Sequence, residues 1–226
     1  MGMGMINKMI RRKRLVSILV LFLFFLIILL YFIEEILMGA GNFLAPEGTG
    51  KADVIILEGD ELIKADMVKT GMSLLSSGRA DCLVIVLHQQ PENRQNFALP
   101  DYRLLLAKGL ENLGLRNNQF QIIAVPINHP ITLTEAKIVI PNLSKSRVRR
   151  AILVTRGFHT RRSYWVYRQE GMSLGIEIIP HPYFISYQKE KWWKRIEAVD
   201  DFFQESLKII YYFFRGYIPL KSLFGA

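Results

Sequence analysis

The chain has 226 residues, half of them hydrophobic, and a formal charge of +9 at neutral pH. The charge is lopsided, because Lys8, Arg11, Arg12, Lys13 and Arg14 stand in an opening segment without a single acid, leaving +4 for everything after it. That balance, and the lack of any nucleic-acid-binding motif, excludes nucleic acid as a partner, and the one cysteine, Cys82, excludes an intrachain disulfide and a cysteine-built zinc cluster.

The first element is an apolar run from Leu15 to Ile33, interrupted only by Ser17. At about 1.5 Å per helical residue it spans roughly 28 Å, close to the hydrocarbon thickness of a bilayer. Basic residues before it and Glu34-Glu35 after it predict a cytoplasmic N-terminus and an exported remainder. A cleaved signal peptide has a shorter apolar region of about 7–15 residues and an A-x-A-like site, for which Met38-Gly39-Ala40 is a poor match. The expected organisation is therefore a basic segment over 1–14, a single-pass signal anchor over 15–36, a linker over 37–50 loosened by Gly39, Gly41, Pro46, Gly48 and Gly50, and an extracytoplasmic domain over 51–226.

Strand and helix patterns then alternate. Ala52–Leu57 is a continuous apolar strand, and Glu61 to about Leu75 has helical spacing that stops at Ser76-Ser77-Gly78. Cys82–Leu87 is a second strand, leading into a polar loop, His88–Asn96. Asp101–Leu113 is a helix with Leu104, Leu105, Leu106, Leu110 and Leu113 inward, ended by Gly114. Gln119–Val125 is a third strand, Thr134–Ile140 a short helix stopped by Pro141, and Ala151–Thr155 the fourth strand. Thr160–Glu170 is a helix ended by Gly171, and Gly175–Ile179 a fifth strand. The last helix, about Ile196 to Phe214, has Ile196, Val199, Phe203, Leu207, Ile210 and Phe214 on one stripe, expected to dock on the sheet. Continuous apolar strands are covered on both faces. The predicted fold is α/β: a Rossmann-like, mainly parallel sheet of about five strands with helices on both faces, preceded by one transmembrane helix.

Arg150–Arg168 is the most informative stretch. Its strand runs through Arg156-Gly157 into His159, Arg161 and Arg162 at the start of a helix. The amino end of a helix favours an anion, and open α/β sheets bind ligands at the carboxyl edge of their strands. A solvated basic face accounts for Lys145, Arg147 and Arg149, whereas for Arg156, Arg161 and Arg162 the solvated face and the ligand site both stand. All the histidines, His88, His129, His159 and His181, follow predicted strands, a pattern that suits acid–base chemistry at one sheet edge and also polar strand-end loops. Thr132-x-x-Glu135 fits a capping box, in which both side chains serve only the helix start. No metal-binding helix spacing, P-loop, G-x-G-x-x-G or G-x-S-x-G occurs.

Three blocks resemble the YdcF/SanA/ElyC-like family of bacterial envelope-associated proteins over about residues 51–218. They are Lys51–Leu57, Thr132–Ala136, and Leu153–Ser163 (LVTRGFHTRRS), which is similar to the family's LVTS-x-YHM-x-RA signature. The resemblance carries family roles onto His159, Arg162, Thr134 and Glu135. The chain departs from the family's glycine-rich turns at Glu58-Gly59-Asp60 and at His88-Gln89-Gln90, and has Ala136 where the family has asparagine.

The expected function is that of an envelope protein, anchored in the bacterial cell membrane by a single pass, whose exported domain binds a small anionic ligand, phosphate-bearing or nucleotide-like. The resemblance implies a part in cell-wall or envelope biogenesis. Were it an enzyme, His159, with an ordinary pKa near about 6.5, would be acid or base, and Glu135 would orient it or a water. Arg162, with Arg161 or Arg156, would grip the anion by paired hydrogen bonds. Thr134, Glu58, Asp60 and His88 complete the expected ligand-binding set, with no metal and no assigned cofactor. The alternative is a non-catalytic ligand-binding or scaffolding protein of the envelope, favoured by the altered glycine turns.

Overall fold

A computed structural model describes residues 3–60, 63–89 and 102–223. The chain divides into two units, residues 1–40 and 41–226. The first is helix α1, Met3–Leu44, whose last turn belongs to the second unit. Over Arg11–Tyr31 this helix is long and apolar enough to cross a membrane. Helical structure persists past the expected anchor boundary at residue 36, and Leu44 and Ala45 are buried in the domain, so the expected loose linker is ordered at its centre.

The second unit is a five-stranded sheet in the order β3-β2-β1-β4-β5, with every pair parallel. The strands are β1 Val54–Asp60, β2 Cys82–Gln89, β3 Phe120–Pro126, β4 Arg150–Arg156 and β5 Glu177–Tyr183. The helices are α2 Ala65–Ser76, α3 Tyr102–Asn112, α4 Ile131–Lys145, α5 Thr160–Ser173 and α6 Ile196–Phe214. Ile55, Ile56 and Leu57 of β1, with Ile152, Leu153 and Val154 of β4, are sealed from solvent, as strands covered on both faces must be. The period of two sends Ile55 and Leu57 into one core cluster with Met67, Val68 and Leu74 of α2 and Leu110 of α3. Residues 54, 56 and 58 therefore point to the other face, where α4 and α5 pack.

Several boundaries differ from those expected. Helix α4 starts at Ile131 and runs through Pro141 to Lys145. Proline costs a helix one hydrogen bond, but the carbonyl left unserved belongs to exposed Lys137, where water can reach, and Asn142 Nδ2 donates to Ile138 O at 2.7 Å one turn along. Strand β5 begins at Glu177 and continues to Tyr183, which places His181 inside the strand, opposite Val154, rather than beyond its end. In α3 only Leu110 is buried and Leu106 half-buried; Leu104, Leu105 and Leu113 face solvent. On α6 the expected docking stripe mostly faces outward: Ala198, Glu205, Ile209 and Tyr212 are the buried positions, Val199 is half-buried, and Ile196, Phe203, Leu207, Ile210 and Phe214 are exposed. Much of the loop expected over His88–Asn96 lies outside the described residues.

Candidate functional site

Chain direction decides where a ligand can enter. From β1 the chain moves outward to β2 and β3, then returns past β1 to β4 and β5 on the other side. The carboxyl ends of β1 and β4 thus flank the switch point, where the connections diverge and leave a crevice. Glu58 and Gly59 come from β1, and the tight turn Gly157–His159 from β4.

That turn is built by its sequence. Gly157 has φ +48° and lies so close to Tyr187 that a Cβ would come within 2.9 Å of its hydroxyl, so both conformation and space call for glycine. Thr160 Oγ1 donates to Gly157 O at 2.7 Å, and Thr155 Oγ1 donates to Thr160 Oγ1 at 2.6 Å. Phe158 is driven into a ring cluster with Phe184, Tyr187, Trp192 and Phe202. With its neighbour pinned in that cluster, His159 faces the crevice, and Arg162 and Ser163, three and four residues on, share its face of the helix.

Two histidine–carboxylate pairs occupy the site. In the first, Glu58 is buried; its Oε1 accepts from Ser163 Oγ at 2.5 Å and stands 3.0 Å from His159 Nε2. Glu58 Oε2 is buried with no hydrogen-bond partner among the described residues. A carboxylate accepts only, so Nε2 of His159 carries the proton. On the other side of the ring, Arg162 Nη2 lies 2.7 Å from Nδ1 and Glu205 Oε2 3.3 Å from it. Arginine can only donate, so the geometry is that of a neutral ring accepting at Nδ1. A second proton, at Nδ1, has to face Glu205 and turn the guanidinium aside. Burial opposes that charge, but Glu58, and Glu205 against the pull of Arg162, push the His159 pKa up to about 9. The surroundings of His159 thus favour the charged ring more than the ordinary value near about 6.5 would.

In the second pair, His88 Nε2 donates to Glu135 Oε2 at 2.9 Å. Glu135 Oε1 accepts from Gly59 N at 2.9 Å and from Tyr167 OH at 2.6 Å. Burial, then the charges of Glu135 and Glu58, hold the Tyr167 hydroxyl well above its usual pKa, so it remains a donor. Glu135 thus orients His88 instead of His159, and it caps nothing, since α4 has Pro130 at its N-cap with no side-chain bond. Thr132 is likewise turned inward, accepting from Arg162 Nη1 at 2.8 Å. Thr132, and not Thr134, is the threonine of the site.

Arg162 is the clearest correction. It is buried, donates from Nε to Glu205 Oε2 at 2.9 Å and from Nη2 to Oε1 at 3.3 Å, and lies over the Tyr212 ring. Burial raises the cost of ionising Glu205, yet His159 and Arg162 outweigh it and hold this carboxyl far below the usual range. The guanidinium expected to grip a ligand is already neutralised by a protein carboxylate. Arg161 leaves the site altogether: its Nε donates to Phe43 O, and its guanidinium covers the rings of Phe43 and Trp165. Arg156 sits at the rim, paired with Asp201 at 3.3 Å. The side chain of Asp60 lies outside the described residues.

The crevice holds two adjoining cavities that share Glu58, Gly59, His159, Arg162 and Lys208. One, of about 390 Å³, is also lined by Lys64, Arg156, Asp201 and Gln204; the other, of about 590 Å³, by His88, His129, Glu135 and Tyr211. Three of the four histidines thus line the crevice. His181, 3.5 Å from Glu47, does not. No group of three or more metal-ligating side chains is found among the described residues.

Glu205, Ser163 and Tyr167 were missed from sequence. Ser163 and Tyr167 carried a signal, one and two helical turns after His159. Glu205 shares the buried face of α6 with Ala198, Ile209 and Tyr212, and its distance along the chain from His159 leaves no local spacing that would pair the two. No family model matches the chain, and no curated protein matches it.

Proposed function

We propose that this chain is a single-pass, membrane-anchored protein of the bacterial cell envelope whose extracytoplasmic α/β domain binds a small anionic ligand, phosphate-bearing or nucleotide-like, in the switch-point crevice. The observation that carries the ligand reading is the charge at the crevice mouth. Lys64, Arg156, Arg162 and Lys208, together with His159, whose pKa is pushed up to about 9, outnumber the carboxylates Glu58, Asp201 and Glu205 of the same cavity. Two of those carboxylates are paired with Arg156 and Lys208, and the cavity lies at the end of the sheet where ligands of such folds bind. Arg162 supports this ring through Glu205 and does not itself hold the anion. The anchor rests on the 21-residue apolar helix segment Arg11–Tyr31 and on the five basic residues that precede or begin it. Resemblance to the YdcF/SanA/ElyC-like family supports a part in cell-wall or envelope biogenesis.

A second reading, non-catalytic ligand binding or scaffolding, is favoured by a specific observation. The groups able to do chemistry are bound to one another: His88 to Glu135, His159 to Glu58 and Glu205, and Arg162 to Glu205. If the site is catalytic, protonated His159 is the acid.

The test is a thermal-shift series on the full chain in detergent, with nucleotides, sugar phosphates and polyprenyl phosphates, each against its dephosphorylated counterpart. Phosphate-dependent stabilisation that is lost in His159→Gln is expected. Equal shifts with and without phosphate, or no shift with any compound, overturn the anionic ligand. Turnover of a bound compound by the wild type and not by His159→Gln selects the enzyme; binding without turnover selects the scaffold.

A further inference from the structure

Helix α6 turns an apolar line away from the domain. Phe203, Leu207, Ile210 and Phe214 follow one another at steps of four, three and four residues and are 59%, 66%, 50% and 87% exposed. Such steps place side chains on one helical face. Ile196 lies on the same face towards the N-terminus of the helix, and exposed Leu220 follows beyond its end. A monomeric domain in water rarely leaves so continuous an apolar strip uncovered. The opposite face of α6 is fully engaged, through Ala198, Glu205, Ile209 and Tyr212, so the helix cannot roll to bury the strip without breaking the Arg162–Glu205 pair.

We infer that this face of α6 docks into the headgroup boundary of the membrane that holds the anchor, a conclusion that rests on the anchored reading above. The first argument is reach. The candidate span ends at Tyr31, and Leu44 is already buried in the domain. The thirteen residue steps between them reach at most about 45 Å even fully extended, so the domain surface is confined near a bilayer at high effective concentration. The second argument is composition. Bulky Phe, Leu and Ile side chains form the strip, half-exposed Tyr211 flanks it, and exposed Arg195 and Arg215 stand at the two ends of the helix. That is the distribution of a helix lying in the interface plane, with aromatic rings and basic groups at headgroup level. One acid falls on this face: Asp200, four residues after Ile196 and three before Phe203, accepts from Gln204 Nε2 at 2.7 Å and sets Ile196 apart from the unbroken line Phe203–Phe214.

The experiment uses the full chain with Cys82→Ser and a single Leu207→Cys carrying an environment-sensitive fluorophore, in lipid nanodiscs of phosphatidylcholine and phosphatidylglycerol loaded with one copy each. Docking predicts blue-shifted emission and quenching of about two-fold or more by shallow doxyl lipids, as for a side chain about 5–10 Å into the boundary. Adding Phe203→Glu and Phe214→Glu, both at exposed positions, is expected to abolish the quenching while the chain stays in the disc. Water-like, unquenched emission in single-copy discs overturns the inference while leaving the anchor intact. Shielding seen only in discs with two copies overturns it in favour of self-association through α6. A chain that separates from the discs overturns the anchor, and docking with it.

Discussion

Replacing Arg162 by alanine separates the two roles this residue can have. As a ligand-gripping group it would be dispensable for folding. In the structure it is buried and gives two hydrogen bonds to Glu205, one to Thr132 and one, at 3.3 Å, to Tyr212. Truncation leaves Glu205 buried with one of its counter-charges gone, His159 at 3.3 Å and Lys208 at 2.8 Å remaining. Breaking a buried ion pair from one side typically costs about 3–5 kcal/mol, and in a domain of this size each kcal/mol moves the melting temperature by about 2–4 °C. Arg162→Ala is therefore expected to melt roughly 6–20 °C below the wild type, followed by tryptophan fluorescence of the full chain in detergent at pH 7. Removing both charges with a volume-matched pair, Arg162→Met with Glu205→Leu, is expected to recover most of the loss, because isosteric apolar replacement of a buried pair is often close to neutral. A melting temperature for Arg162→Ala within about 2 °C of wild type, with ligand stabilisation lost, would refute the reasoning and return Arg162 to the ligand.

Three further outcomes are expected. Glu58→Gln removes the charge 3.0 Å from His159 Nε2; with charge centres about 4 Å apart and an effective dielectric near 20 the interaction is about 4 kcal/mol, so the His159 pKa should fall by about 1–3 units in an imidazole NMR titration, and an unmoved pKa would remove Glu58 as its cause. The raised His159 pKa stabilises the fold fully below the ordinary value of 6.5, and that contribution is lost as pH rises through about 9, up to about 3 kcal/mol in all. Glu205, whose pKa is depressed, contributes in the opposite sense, its stability being lost only in strong acid, so the melting temperature should decline between pH 6.5 and 9, and a flat profile there, or one equally sloped in His159→Gln, contradicts the assignment. Gly59→Ala places a Cβ 2.6 Å from His88 Nε2 and 3.1 Å from Glu135 Oε2, which should part the second pair and shift the His88 ring resonances while the Glu58–His159 titration is unchanged; unaltered His88 signals would mean that the ring is not held as described.

The sequence alone determined the α/β alternation, the parallel five-stranded sheet and the apolar N-terminal helix. These depend on local quantities: the length of apolar runs, their period, and glycine at a turn such as Gly157. It also brought His159 near Arg162, because spacing along one helix is spacing in space. Tertiary structure decided what each of them faces. Glu205 is 43 residues from Arg162, and nothing in local periodicity says that a carboxylate from the last helix will neutralise the guanidinium of the fifth. Thr132 and Glu135 matched a capping box in sequence, yet the helix begins one residue before Thr132, leaving both side chains to the crevice. The apolar stripe of α6 was legible, but its direction was not, since a hydrophobic pattern states that a face must leave water and not whether protein or lipid will receive it.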